Sequence, residues 1–469
     1  MFSDTVDFRK LAYVAIPLAI AGATYVALFR PAMVANTQYL LAGLGLVAIV
    51  ALAYHYASWM PFVLVSVFLW GGSSLPLKGG MQALRWLVLA AAAFLGLVAY
   101  LRGSGPLQFR SVHLVALFVV LAAFASALGS VNFKLTALKA ATLALLFLYA
   151  SVGARISWRG NPARLVQGIV WLAEALTYVS AVSYLLFSHP LWGNPNSLGV
   201  VMGLIGWPIL LWRFLAEEGH RGRLRRTMTL LLSGTLLFLS FARAGMLAAG
   251  VASIVLLLSA RRYRLLAAGV TVFAFILVTT YAFWPERLEE TSESLIYKKG
   301  DRSQGVMQSR EGPWQASINS FQQHPWLGLG FGTAEKSAEW QGGFATHGKT
   351  RERGSSYLTV LEGVGLVGAL PLAILLLLVL YRATQIFAWL RLTHSVDHPA
   401  IPVAMVVVAG LVHAGFEDWL LAVGYHMCMI FWALALSLPD LAECPAPTAT
   451  EATVAAKIGA RRLSPQPLR

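Results

Sequence analysis

The hydrophobic positions of this chain fall into long unbroken runs rather than the alternating or one-sided stripes of soluble elements. A helix needs about 20 apolar residues to cross the ~30 Å hydrocarbon core of a bilayer. Hydropathy places such runs near 11–29, 38–57, 58–72, 84–101, 112–129, 135–153, 164–187, 198–215, 228–241, 244–260, 264–284, 356–381, 400–415 and 424–438. Several are short, so the pattern predicts an all-α polytopic membrane protein with about 12–14 transmembrane helices. The first run follows Met1-Phe2-Ser3-Asp4 without a small-residue cleavage pattern, and reads as a retained helix rather than a signal peptide.

One interval breaks the series. Between 285 and 355 the chain is polar, which divides it into N-terminal hairpins (1–187), central helices (188–284), a large loop carrying short helices (285–355) and C-terminal helices (356–438). The remaining Pro-, Thr- and Ala-rich tail, 439–469, reads as disordered.

Composition excludes a soluble domain. Hydrophobic residues make up 58% of the chain and charged ones only 12%, against about 25% charged in ordinary globular proteins. The net charge of +15 would suit nucleic acid if it formed a patch. Instead the basic clusters, Arg221, Arg223, Arg225 and Arg226 and then Arg261, Arg262 and Arg264, sit between spans, as the positive-inside bias requires. That orientation puts both termini in the cytoplasm and the large loop outside. The loop carries nine Lys/Arg and nine Asp/Glu, so it is not polybasic. Lipids are the partner this charge pattern implies, and nucleic acid is not. Of the two cysteines, Cys428 falls in the last span and Cys444 in the tail, neither placed for a disulfide or a metal.

Candidate chemistry gathers at the outer face. The interval 227–260 is flanked on both sides by cytoplasmic clusters, so it must cross an even number of times, with Ser240–Gly245 at its midpoint. Its arms are slightly short for the bilayer, which pins Arg243 at or below the outer interface. An arginine there is either functional or half of a structural ion pair. In the loop, Trp314, Ile318 and Phe321 recur at helical spacing after Pro313, and Pro325 ends the pattern, predicting a short amphipathic helix with Arg310 near its start. Gly328, Gly330 and Gly332 read as a turn, since no βαβ context supports a dinucleotide site. Ser355 and Ser356 open a span, where a helix N-terminus favours phosphate oxygens and serine capping is the plainer alternative. Gly193-Asn194-Pro195-Asn196-Ser197 reads as a capping turn. His413 and Glu417 share a helix face without a second metal-spaced His, and read as a buried hydrogen-bonded pair. Lys78, Arg85, Lys134 and Lys139 near the same face read as interface snorkels. His347, in a Gly- and charge-rich stretch with Lys349, Arg351 and Arg353, is a catalytic candidate. Arg243, Arg310, Ser355, Ser356 and the loop cations would together make a cationic site open to lipid. The arginine fork suits a diphosphate because it binds two oxygens at once.

The ordered set Gly-Asn-Pro-Asn-Ser-Leu-Gly (193–199), Ser-Phe-Ala-Arg-Ala-Gly (240–245), Ser-Arg…Trp (309, 310, 314), His-Pro-Trp-Leu-Gly-Leu-Gly (324–330) and Ser-Tyr-Leu…Glu-Gly-Val-Gly-Leu-Val-Gly (356–368) resembles the bacterial O-antigen ligase and O-antigen polymerase superfamily. The resemblance implies an inner-membrane glycosyltransferase. It would move glycan from an undecaprenyl diphosphate carrier to an acceptor sugar on the periplasmic side, without cofactor or metal. A ligase would use lipid A–core as acceptor, and a polymerase another lipid-linked glycan. A transporter of lipid-linked glycan is the remaining alternative, against which stands the lack of an internal repeat. By the same resemblance Arg243 and Arg310, with Ser355 and Ser356, hold the diphosphate, and Asn196, Arg353, His413 and Glu417 support the site. Many members have His-Asn before the Ser/Ala-Tyr-Leu, and that His is thought to be catalytic. Here Gly354 and Ser355 stand in those places. The base is therefore expected among His347, Glu362, His413 and Glu417, with His347 first.

Overall fold

A computed structural model describes residues 60–75, 78–102, 107–158, 161–187, 191–192, 194–217, 219–283, 286, 308–333 and 354–443. The expected spans at 11–29 and 38–57, and the tail beyond 443, lie outside the described residues. Within them the regular structure is entirely helical. In chain order the helices are α1 Met60–Gly72, α2 Lys78–Leu101, α3 Ser111–Ala125, α4 Phe133–Trp158, α5 Pro162–Phe187, α6 Pro195–Ala216, α7 His220–Leu239, α8 Arg243–Ser259, α9 Tyr263–Phe283, α10 Gln308–Gln323, α11 Ser356–Thr393, α12 Ala400–Ala414 and α13 His426–Leu441. Among the described residues seven are long and apolar enough to cross a membrane, and α1, α8, α12 and α13 are shorter apolar helices. The chain is an all-α polytopic membrane protein with a helical loop region.

Side-chain character decides which helix goes where. Ala400 to Gly410 of α12 are all buried, as are Met427 to Trp432 of α13, because helices apolar on every side are stable only when surrounded. They form the centre of the bundle. Residues with small side chains bring other helices very close. Gly199 and Gly203 of α6 lie against the backbone of Gly245 in α8, leaving no room for a Cβ. The α7–α8 connection is the tight hairpin expected, turning over Ser240, Phe241 and Ala242. The Ser240 hydroxyl caps the turn by donating to the Leu237 carbonyl and accepting from the Ala242 N–H.

Helix α11 is 38 residues long and broken near its start, where Gly365 takes φ 57° and ψ −160°. Such a break strands backbone N–H and C=O groups, each costing several kcal/mol in a water-free core. The segment after α10 satisfies them. Leu329 and Gly330 donate their N–H groups to the carbonyls of Glu362 and Gly363, while Leu366 and Val367 donate to Pro325 and Trp326. Gly328, Gly330 and Gly332 all have positive φ, as the expected turn requires. The other side of that turn rests on the α3–α4 hairpin. The Phe331 N–H donates to Ser126 Oγ, and Lys139 donates to the Gly332 carbonyl.

The amphipathic helix of the loop differs from expectation in two respects. It starts at Gln308, so Pro313 lies inside it rather than at its first turn. Its buried face is Ser317 and Ser320, whereas Ile318 is exposed. The reason is hydrogen bonding: Ser317 Oγ donates to Glu362 Oε2 at 2.8 Å, and a polar face is what a buried carboxylate needs.

Candidate functional site

The candidate site lies at the end of the bundle where α6, α8 and α11 begin and α12 ends, opposite the Arg221–Arg226 cluster. Its anchor is Ser356, the first residue of α11. The Ser356 N–H and Oγ both donate to the Glu417 carbonyl, at 3.1 and 2.6 Å, and Oγ accepts from the N–H groups of Trp419 and Leu420, at 3.0 Å each. One hydroxyl thus fastens the α12–α13 connector to the start of α11. Tyr357 adds a second fastening, donating to the Leu411 carbonyl at 2.6 Å.

Arg310 reaches this connector from α10. Its Nη2 donates to Glu417 Oε1 at 2.6 Å, with side chains 19% and 27% exposed. The guanidinium packs over Gly354, whose φ of +70° and missing Cβ leave the space; a Cβ there would lie 2.9 Å from Nη1. Trp314, one turn along α10, donates its indole N–H to the Gly354 carbonyl at 3.1 Å. Glycine at 354 therefore has a local physical reason: the arginine occupies the room a side chain would need.

The other candidates fall at different depths. Glu362 is fully buried beneath α10, held by Ser317. Ser355 is buried as the N-cap of α11 without a side-chain capping bond. His413 and Glu417 meet through the backbone, where the Glu417 N–H donates to the His413 carbonyl at 3.2 Å, and their side chains bond other partners. The Trp419 indole donates to His413 Nδ1 at 2.8 Å. An indole N–H can only donate, so the neutral imidazole carries its proton on Nε2 and its basic nitrogen is occupied. Asn196 and Arg243 are exposed at the starts of α6 and α8, which the close glycine crossing holds side by side. Tyr425, at the end of the connector, lies near Ser197 of α6 and near Glu417. His347 and Arg353, with Lys349 and Arg351, lie outside the described residues.

Reading the sequence missed the connector 415–425. Its residues look like a span boundary, yet Glu417, Trp419, Leu420 and Tyr425 hold the site together. The cluster of aromatics with Glu417-Asp418 between two spans was the available signal. It also missed what the outer cations do. Arg85 donates to the Gly424 carbonyl at 2.6 Å and Lys139 to that of Gly332, so both fasten loops. Among the described residues no group of three or more His, Cys, Asp or Glu could hold a metal.

Residues 228–373 match the O-antigen ligase family, Wzy_C. The matched stretch runs from α7 into α11 and includes Arg243, Arg310, Ser355, Ser356 and Glu362; Asn196, His413 and Glu417 fall outside it. The match supports the ligase and polymerase superfamily in general, with the glycosyltransferase-like activity that membership suggests, and not a particular member. A search of the curated proteins finds no match.

Proposed function

We propose that this protein transfers glycan from an undecaprenyl diphosphate carrier to an acceptor sugar at the outer face of a bacterial inner membrane, in the manner of an O-antigen ligase acting on lipid A–core. The observation that carries the reading is Arg310: a guanidinium 19% exposed, paired with the Glu417 carboxylate at a helix-start cluster, within a stretch similar to a ligase family. A diphosphate leaving group accumulates negative charge as the sugar–oxygen bond breaks, and a preoriented cation lowers that barrier by several kcal/mol. Arg310 takes this role, with Arg243 as the second diphosphate cation. Ser355 and Ser356 line the same helix start, and Asn196, His413 and Arg353 support it. His347 and Glu362 remain candidates for acid–base work. A polymerase would use the same donor chemistry on a lipid-linked acceptor.

The test is reconstitution of the purified full chain with a defined lipid-linked donor and the two acceptors in parallel. Transfer to lipid A–core alone supports the ligase reading, transfer to the lipid-linked glycan alone the polymerase. Movement of donor across the bilayer without transfer would replace both with a transporter. Orientation has its own check: a cysteine at Ser337 should label from the periplasmic side, and cytoplasmic labelling would overturn the site assignment.

A further inference from the structure

Four groups could take the proton from the acceptor hydroxyl, and three of them lie in described parts of the chain. Glu362 is sealed beneath α10 and engaged by Ser317. His413 already accepts the Trp419 indole N–H on its basic nitrogen. Glu417 differs from both. Its carboxylate is 27% exposed, its backbone carbonyl is fixed by two bonds from Ser356, and it touches the cation assigned to the diphosphate.

We propose that Glu417 is the general base and that donor binding releases it. This rests on the lipid-diphosphate reading above. The Glu417 carboxylate pairs with Arg310. An arriving diphosphate carries more charge and more acceptor oxygens, so Arg310 turns to it and Glu417 is freed beside the reacting centre. The acceptor hydroxyl oxygen then bonds to the anomeric carbon of the donor sugar. The bond from that carbon to the diphosphate oxygen breaks, and its electron pair leaves with the lipid diphosphate against Arg310. The hydroxyl proton passes to the Glu417 carboxylate. The two halves are coupled: the base becomes competent only when the leaving group has its counter-charge, which protects the donor from water before the site is loaded. The charged and titratable groups facing Glu417 are Arg310 from α10, His413 from the end of α12, Tyr425 across the connector and its neighbour Asp418.

The experiment uses the full chain in nanodiscs, wild type beside Glu417→Gln and Glu417→Asp. Undecaprenyl diphosphate binding and single-turnover transfer are read separately across pH. The glutamine variant keeps a hydrogen-bond acceptor for Arg310, so it should fold, but loses the competing charge. It should bind undecaprenyl diphosphate roughly two- to fivefold more tightly, the worth of a surface ion pair, and transfer about 10²–10⁴-fold more slowly, the worth of a general base. The fall in rate on the acid side, which a protonating carboxylate produces, should vanish in Glu417→Gln and persist in Glu417→Asp. Transfer by Glu417→Gln within threefold of wild type overturns the proposal. So does loss of diphosphate binding in that variant, which would make Glu417 a mere support for Arg310. Wild-type protein that transfers to neither acceptor would sink the transferase reading and the base with it, a result distinguishable from either of the others.

Discussion

Arginine–carboxylate contacts occur at both ends of the bundle, and their contrast separates structure from function. At the end away from the site, Arg155 is fully buried with its donors engaged. Nε and Nη2 bond the two Asp440 oxygens at 2.7 and 2.9 Å, Nη1 bonds the Ser151 carbonyl and Nη2 also the Gln108 carbonyl. Arg226 is likewise buried and lies between Glu174 and Glu217, joining α5 and the α6–α7 connection. At the site end, Arg310 Nη2 donates to Glu417 Oε1 at 2.6 Å, and both side chains keep some exposure, 19% and 27%. A saturated arginine locks helices together, because removing either partner leaves a buried charge. A partly exposed ion pair costs less to redirect, since such pairs contribute at most about 1 kcal/mol. The first kind is a fastening, and the second is the kind on which the proposed function relies.

The sharpest break of this contrast is Arg155→Ala, which strands Asp440 and should cost about 3 kcal/mol of stability or more, read as a fall in the unfolding midpoint and in membrane-inserted yield. Arg155→Lys should recover little, as one ammonium cannot replace the fork. Arg310→Ala should do the reverse: unfolding unchanged within about 1 kcal/mol, transfer reduced about 10²–10³-fold. Arg310→Lys should fall between. An Arg310→Ala protein that is stable and fully active would put both arginines in the same class and end the comparison.

Gly365→Ala sharpens it from the backbone side. The residue sits at φ 57° against the Trp326 carbonyl, so a methyl group adds a conformational penalty of about 1–3 kcal/mol and pushes apart the α11–loop pairing. The unfolding midpoint should fall, with transfer impaired in proportion. Ser317→Ala should have the smallest effect, about 0.5–1.5 kcal/mol, the net worth of a typical hydrogen bond. If Ser317→Ala abolishes transfer while leaving stability intact, Glu362 belongs to the chemistry and not to the scaffold.

Much of the fold was legible because membrane helices advertise themselves by local composition. Most runs from 84–101 onward, the hairpin centred on Ser240–Gly245, and the glycine turn after the loop helix recur in the structure near their expected bounds, whereas the run expected at 356–381 continues as helix to Thr393. Arg310 was legible too, as a cation beside Trp314 in the one polar interval. Its partner was not, because Glu417 is 107 residues distant in sequence and no periodicity connects a loop helix to a later interhelical connector. The buried face of α10 was misjudged for a related reason: Trp314, Ile318 and Phe321 follow the apolar pattern, but Glu362 on another helix selects the serines.

By itself, then, the sequence determined what each segment must do with its own backbone and its own apolar surface. That yields the helical class, the charge asymmetry and the apolar runs, since those follow from transfer of local stretches between water and lipid. Only the tertiary structure decided which polar groups meet. The break in α11 is satisfied by a segment about 40 residues earlier, roughly the Pro325–Leu366 interval. Gly354 makes room for Arg310, Ser356 fastens Glu417, and Trp419 claims the basic nitrogen of His413. A hydrogen bond between remote segments depends on geometry that no single segment contains, and the chemistry of this site is made of such bonds.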